Sequence, residues 1–174
     1  MDGLLDLSAV YDGSTPVVGF PDGRKLRGDS PDLDAALSEH VGRAVVLGRE
    51  AAVSHFDEGP LHLVTSASCD TLARAHGHEV DARRTRANLV LACEGHGFPE
   101  LGWVGRRLRL GTDVVVLVRD VMPRCVMLNA AQDGLPADPS LLRTVTDVAA
   151  GALGVVADVE RGGRVTVGDA AVLA

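Results

Sequence analysis

Trp103-Val104-Gly105-Arg106-Arg107-Leu108-Arg109-Leu110-Gly111-Thr112-Asp113-Val114-Val115-Val116-Leu117-Val118 is the stretch on which the fold turns. Two strand-like runs, the second entirely of branched aliphatic residues, flank Gly111-Thr112-Asp113, the pattern of two strands joined by a turn. The second run leads into Val121-Met122-Pro123-Arg124-Cys125-Val126-Met127. Pro123 has a fixed φ and no N–H, which suits the end of a strand and would bring Arg124 and Cys125 to the rim of a sheet. A thiolate is the competent nucleophile and metal ligand, and an adjacent guanidinium favours that ionised form. Cys125 is therefore the candidate catalytic and metal-ligating residue, with Arg124 as its activator. The same pair also suits a small buried thiol beside a surface arginine.

Outward from this hairpin, short strands dominate. Residues 7–26 are apolar runs cut by Asp12-Gly13 and Asp22-Gly23, strong turn signals that predict an N-terminal β-meander. Ser30-Pro31-Asp32 opens a helix with Leu33, Ala36, Leu37 and Val41 at helical spacing, and Gly42 ends it. A short strand is expected over 44–47, a polar loop over 54–59, and a strand over 61–64. Thr65 or Ser66 caps a helix running to about Ala75, stopped by Gly77. The apolar run 89–92 reads as a buried strand, 140–150 as a helix, and 155–159, 165–167 and 171–173 as strands. The expectation is a β-rich α+β domain with a barrel-like sheet and two or three peripheral helices.

The chain has 174 residues, 46% of them hydrophobic, enough for one substantial core, so a single domain is expected. Aromatic residues make up only 3%, so the core should be aliphatic, with Trp103 as its one indole. A net charge of -7 argues against nucleic-acid or anionic-membrane surfaces, which require a basic footprint. Three cysteines with no close pair point to a reducing compartment. The start Met1-Asp2-Gly3-Leu4-Leu5-Asp6 has no long apolar run, so neither a signal peptide nor a membrane span is expected, and the location implied is cytoplasmic.

Basic residues are concentrated locally. Arg84, Arg86 and Asn88 alternate before the strand at 89–92, which in an extended segment would place them on one face. Guanidinium groups bind phosphate in bidentate fashion, and an asparagine amide can read the edge of a heterocycle, so a phosphorylated cofactor is a natural guest. A solvated charge run paired with Glu79 and Asp81 is the alternative. His76, His78, Cys93 and His96 offer ligand types that zinc accepts, but Gly77, Gly95 and Gly97 mark plain turns, and zinc is not expected. His55 and His62 read as hydrogen-bonded packing residues, and Cys69 as core.

In chain order, Arg84-Thr85-Arg86-Ala87-Asn88-Leu89, Phe98-Pro99-Glu100, Trp103-Val104-Gly105, Pro123-Arg124-Cys125 and Gly168-Asp169-Ala170 resemble the MOSC domain, named for the C-terminal domain of molybdenum cofactor sulfurases. The resemblance covers residues 56–173, with 1–50 as a meander and helix integrated into the same domain. It implies a barrel-like fold and binding of the pterin-based molybdenum cofactor, molybdopterin, with Cys125 as the metal ligand or as the carrier of a persulfide. In the amidoxime-reducing branch the metal reduces N-oxygenated substrates; in the sulfurase branch the cysteine is associated with sulfur passage to the cofactor. Arg86 and Asn88 would contact the pterin or its phosphate, with Arg84, Ser66 and Thr65 as further candidates. Trp103 and Gly105 would be structural. One departure is Ala87, where relatives often carry proline. The chain has no room for a pyridoxal-phosphate desulfurase domain and no cysteine set for an iron–sulfur cluster, so an external electron donor or sulfur donor protein is implied. The leading expectation is a molybdenum-dependent oxidoreductase. A non-catalytic cofactor carrier and a repurposed, cofactor-free domain are the alternatives.

Overall fold

A computed structural model describes residues 3–52, 54–56, 58–132 and 134–174. Among them are nine strands and three α-helices, an α+β fold with few helices. The chain divides into two compact units, Met1–His55 with Ala131–Pro136, and Phe56–Ala130 with Ala137–Ala174.

In the first unit, β1 (Ser8–Asp12), β2 (Thr15–Gly19) and β3 (Lys25–Arg27) form the expected antiparallel meander. Helix α1 (Leu33–Val41) ends at Gly42, whose φ of 68° lies in the left-handed region that glycine adopts without steric cost. Its apolar face, Leu33, Ala36 and Leu37, packs with Val18 and Phe20. The strand expected over 44–47 does not form. Side chains of α1 satisfy that backbone instead: Val45 N–H donates to Ser38 Oγ at 3.0 Å and Leu47 N–H to Asp34 Oδ1 at 2.8 Å.

The second unit is built on a curled, half-barrel sheet. Its elements are β4 (Leu61–Thr65), α2 (Ser66–His76), β5 (Leu89–Leu91), β6 (Arg107–Leu110), β7 (Val114–Pro123), α3 (Leu141–Ala149), β8 (Ala152–Arg161) and β9 (Ala171–Leu173). The strand order is β5-β4-β8-β7-β6-β9, with only β4 and β5 parallel. Register shifts along the β7–β8 pair, as at Val118/Asp120 and Val121/Pro123, bend the sheet. One face buries Leu63, Leu108, Val116, Val118 and Val155; on the other, Leu72 of α2 and Leu141 and Val145 of α3 cover Val64 and Leu153. Gly154 is required where β8 meets β4. It has φ 82°, and a Cβ there would collide with His62 Nε2 and the Leu63 carbonyl.

Two strand expectations in this unit are corrected. Pro99–Trp103 is a 3-10 turn, and Gly105, at φ 83°, re-aims the chain so that the strand begins only at Arg107. Trp103 still packs against the sheet, half-buried. Residues 165–167 are a loop, because Asp169 Oδ2 captures the Thr166 N–H at 2.8 Å and leaves Val167 in solvent. No helix among the described residues is long and apolar enough to cross a membrane.

Candidate functional site

Pairing of β7 with β8 ends at Pro123 opposite Ala152, and Arg124 N–H closes the pair on the Gly151 carbonyl at 2.8 Å. Cys125 follows in extended conformation, φ -119° and ψ -178°, and heads the 3-10 turn Val126–Asn129. The thiol is exposed at the sheet rim, as proline at the strand end implied. The buried-thiol alternative fits Cys69 instead: burial, reinforced by the negative charge of Glu100, pushes that thiol up to about 11.

Consecutive side chains of an extended segment point to opposite sides. Arg124, expected at the rim beside the thiol, instead turns inward for this reason, its Nη2 donating to the Thr85 carbonyl at 2.7 Å. This bond fastens the arginine segment beside Cys125. A second one reinforces it: Arg84, 7% exposed, donates from Nη1 to the Ala130 carbonyl at 3.4 Å, just past the 3-10 turn that follows Cys125.

The arginine segment is not extended. Residues Ala82–Thr85 form a 3-10 turn, Arg84 is buried, and Arg86 lies at φ 54° and ψ 29°. The single face expected for Arg84, Arg86 and Asn88 is therefore replaced by a turn that sends Arg84 inward and leaves Arg86 exposed. The cause is local capping. Asp81 accepts from Arg83 N–H at 2.8 Å and pairs with the Arg83 guanidinium at 2.7 Å, so the charge-run alternative holds for that one arginine. Ala87 N–H donates to Thr85 Oγ1 at 3.2 Å, a restraint that proline at this position could not provide.

Asn88 sits where β5 begins. Its N–H donates to the His62 carbonyl at 2.9 Å, and its Oδ1 accepts His62 N–H at 2.7 Å. The His62 ring is buried between the Leu153 carbonyl, 3.2 Å from Nε2, and the backbone of Arg86. Burial first, and the nearby Arg124 charge second, push His62 down to about 4, so the imidazole is neutral at pH 7. His62 is thus the packing residue its strand position suggested, and one that joins Asn88 to the start of β8 near the Arg124 charge.

Thr65 and Ser66 are committed elsewhere. Thr65 caps α2 by accepting Ser68 N–H at 3.2 Å, and its hydroxyl donates to Glu100 Oε2 at 2.7 Å. Ser68 Oγ donates to the same oxygen at 2.6 Å. Glu100 is fully buried at the N-terminus of α2, where it accepts the hydroxyl of Thr65, a candidate ligand contact, and that of nearby Ser68. Ser66 Oγ accepts Cys93 N–H at 3.0 Å and donates to the Cys93 carbonyl at 3.1 Å. Sequence reading gave Glu100 no role; the available signal was Pro99 at the first helical position with an acid directly after it.

His76 and His78 do converge, but with Asp138 rather than with Cys93 and His96. Asp138 is held at about 2: burial opposes ionisation, and hydrogen bonds from His76 and Ser140 outweigh it.

The MOSC domain family model matches residues 42–172. Among solved structures, YiiM from Geobacillus stearothermophilus is similar at a TM-score of 0.53 and 17% identity, covering 98% of this chain and 74% of that one. The YUAD protein from Bacillus subtilis gives a TM-score of 0.51 and 19% identity over 94% of this chain and 82% of its own. No curated protein sequence matches the chain. With a family match over most of its length and the same fold in both solved structures, the chain belongs to the MOSC domain family.

Proposed function

We propose that this protein binds the molybdenum cofactor at the rim that carries Arg86, Asn88 and Cys125, and reduces N-oxygenated substrates with electrons from an external donor. Association with that cofactor is a property of the MOSC family. The observations that carry the reading are an exposed thiol and, on a segment tied to its neighbour Arg124 through the Thr85 carbonyl, an exposed arginine without a side-chain partner among the described residues. Cys125 is exposed at the sheet rim, and the Arg86 side chain makes no hydrogen bond or ion pair among the described residues.

The donor set fits the group. A thiolate is a soft ligand suited to a transition metal, and a free guanidinium suits a phosphate. Asn88 Oδ1 is used by His62, which leaves the amide N–H groups to donate to a heterocycle edge. When bound, the cofactor would supply two-electron redox chemistry at the metal, close to solvent. Arg124, anchored on Thr85, holds the arginine segment beside Cys125 and acts as a positioning residue. Neutral His62 keeps the start of β4 paired to Asn88 without adding a second positive charge.

Turnover of an N-hydroxylated base, measured with the cofactor-loaded protein and a chemical reductant, tests the proposal. Cys125→Ser should abolish turnover and leave the fold intact, since the side chain is exposed. Unchanged turnover in that variant would sink the reductase reading. The exposure of Cys125 equally favours a sulfur carrier, in which a donor protein loads a persulfide. That reading expects cofactor binding without reductase activity.

A further inference from the structure

We propose that His76, His78 and Asp138 bind a divalent transition-metal ion of the zinc class, which ties the end of α2 to the approach to α3. His76 is the last residue of α2 and Asp138 precedes α3, two helices whose apolar faces already pack through Leu72, Leu141 and Val145. The three potential ligand atoms all lie within 4.8 Å of one another.

The hydrogen-bond network assigns each ligand atom. Thr144 Oγ1, whose hydroxyl also reaches the Ser140 carbonyl at 3.3 Å, hydrogen-bonds His76 Nδ1 at 2.8 Å and fixes the ring. That arrangement aims His76 Nε2 at Asp138 Oδ2, 2.7 Å away. His78 repeats the pattern: its Nδ1 meets the Glu79 carbonyl at 3.1 Å, which leaves Nε2 facing Asp138 Oδ2 at 3.8 Å. Asp138 Oδ1 is held by Ser140, through Oγ at 2.9 Å and N–H at 3.2 Å, so Oδ2 is the oxygen turned to the histidines. Two Nε2 atoms and one carboxylate oxygen therefore converge, each fixed by a partner behind it, as metal ligands usually are.

Tetrahedral zinc with bonds near 2 Å separates its ligands by about 3.3 Å, between the two observed Nε2–Oδ2 distances, so small side-chain adjustments admit the ion. Binding displaces the His76 Nε2 proton that hydrogen-bonds Asp138 and leaves Nδ1–H to donate to Thr144 Oγ1, whose own proton stays on the Ser140 carbonyl. The His76 side chain is 3% exposed and Asp138 14%, whereas His78 is 61% exposed, so the ion enters past His78 and keeps an open fourth position. The glycine-flanked spacing weighed against a site completed by Cys93 and His96, and Asp138, distant in sequence, supplies the third ligand in their place.

Chelator-stripped full chain is titrated with Zn(II) by calorimetry and with Co(II) by visible absorption. The proposal expects one ion per chain and cobalt d–d bands without a thiolate charge-transfer band. Cys125→Ser should leave the affinity unchanged, His78→Ala and Asp138→Asn should weaken it about 10-fold or more, and Thr144→Val should weaken it in the same direction. His78 is exposed, so its variant retains the fold, which circular dichroism checks. Failure to bind either ion, a sulfur-to-cobalt band lost with Cys125→Ser, or unchanged affinity in His78→Ala and Asp138→Asn would each overturn the site.

Discussion

His62 and Asn88 exchange two hydrogen bonds, N–H to carbonyl in one direction and N–H to side-chain Oδ1 in the other, at 2.9 and 2.7 Å. The asparagine side chain thereby extends the parallel pairing of β4 and β5 by one step beyond the strand. Asn88→Ala leaves the His62 N–H without its acceptor and should cost about 1–2 kcal/mol, lowering Tm by a few degrees. Asn88→Asp keeps the acceptor and loses the amide donors. It should hold Tm near the wild-type value while weakening cofactor binding, and a thermal melt beside a pterin-release assay separates the two effects.

His62 also makes stability depend on pH. An unfolded histidine takes up its proton near 6.5, whereas the native ring does so only near 4. Between those values the unfolded chain binds more protons, so stability is fully present above 6.5 and is lost as pH falls toward 4. The loss should approach about 3 kcal/mol, and His62→Gln should flatten it in urea unfolding curves taken at several pH values.

The buried Glu100 carboxylate accepts two hydroxyl hydrogen bonds at the head of α2. Glu100→Ala removes the shared acceptor of the Thr65 and Ser68 hydroxyls, which retain as side-chain partner only each other at 3.1 Å, and should destabilise by about 2 kcal/mol. Glu100→Asp, a methylene short, should fall between this variant and wild type. Denaturant midpoints at neutral pH give the comparison.

Arg86 occupies left-handed backbone, which costs an L-residue roughly 1–2 kcal/mol and glycine almost nothing. Arg86→Gly should therefore raise stability by about 1 kcal/mol and at the same time weaken cofactor binding. A gain in Tm with unchanged cofactor content would show that the strained arginine contributes nothing to the ligand.

The hairpin around Gly111, the meander, the helices and the strand end before Cys125 were legible because each rests on local chemistry, a turn residue, a cap, or a proline ending a strand, whereas the exposure of the thiol depended on packing. The arginine segment was misread for the opposite reason. Alternation of Arg84, Arg86 and Asn88 describes a face only if the backbone is extended, and Asp81 capping the 3-10 turn is a competing local signal with equal claim. Partners distant in sequence gave no signal. Glu100 meets Thr65 across 35 positions and Asp138 meets His76 across 62, so only the folded sheet and helices bring them together.

Molybdenum content and released oxidised pterin, measured together on wild type and Cys125→Ser purified from a cofactor-producing host, test the central claim most directly. The account predicts metal and pterin in stoichiometric amounts in wild type and loss of the metal in the variant. Folded wild-type protein carrying neither metal nor pterin would contradict it.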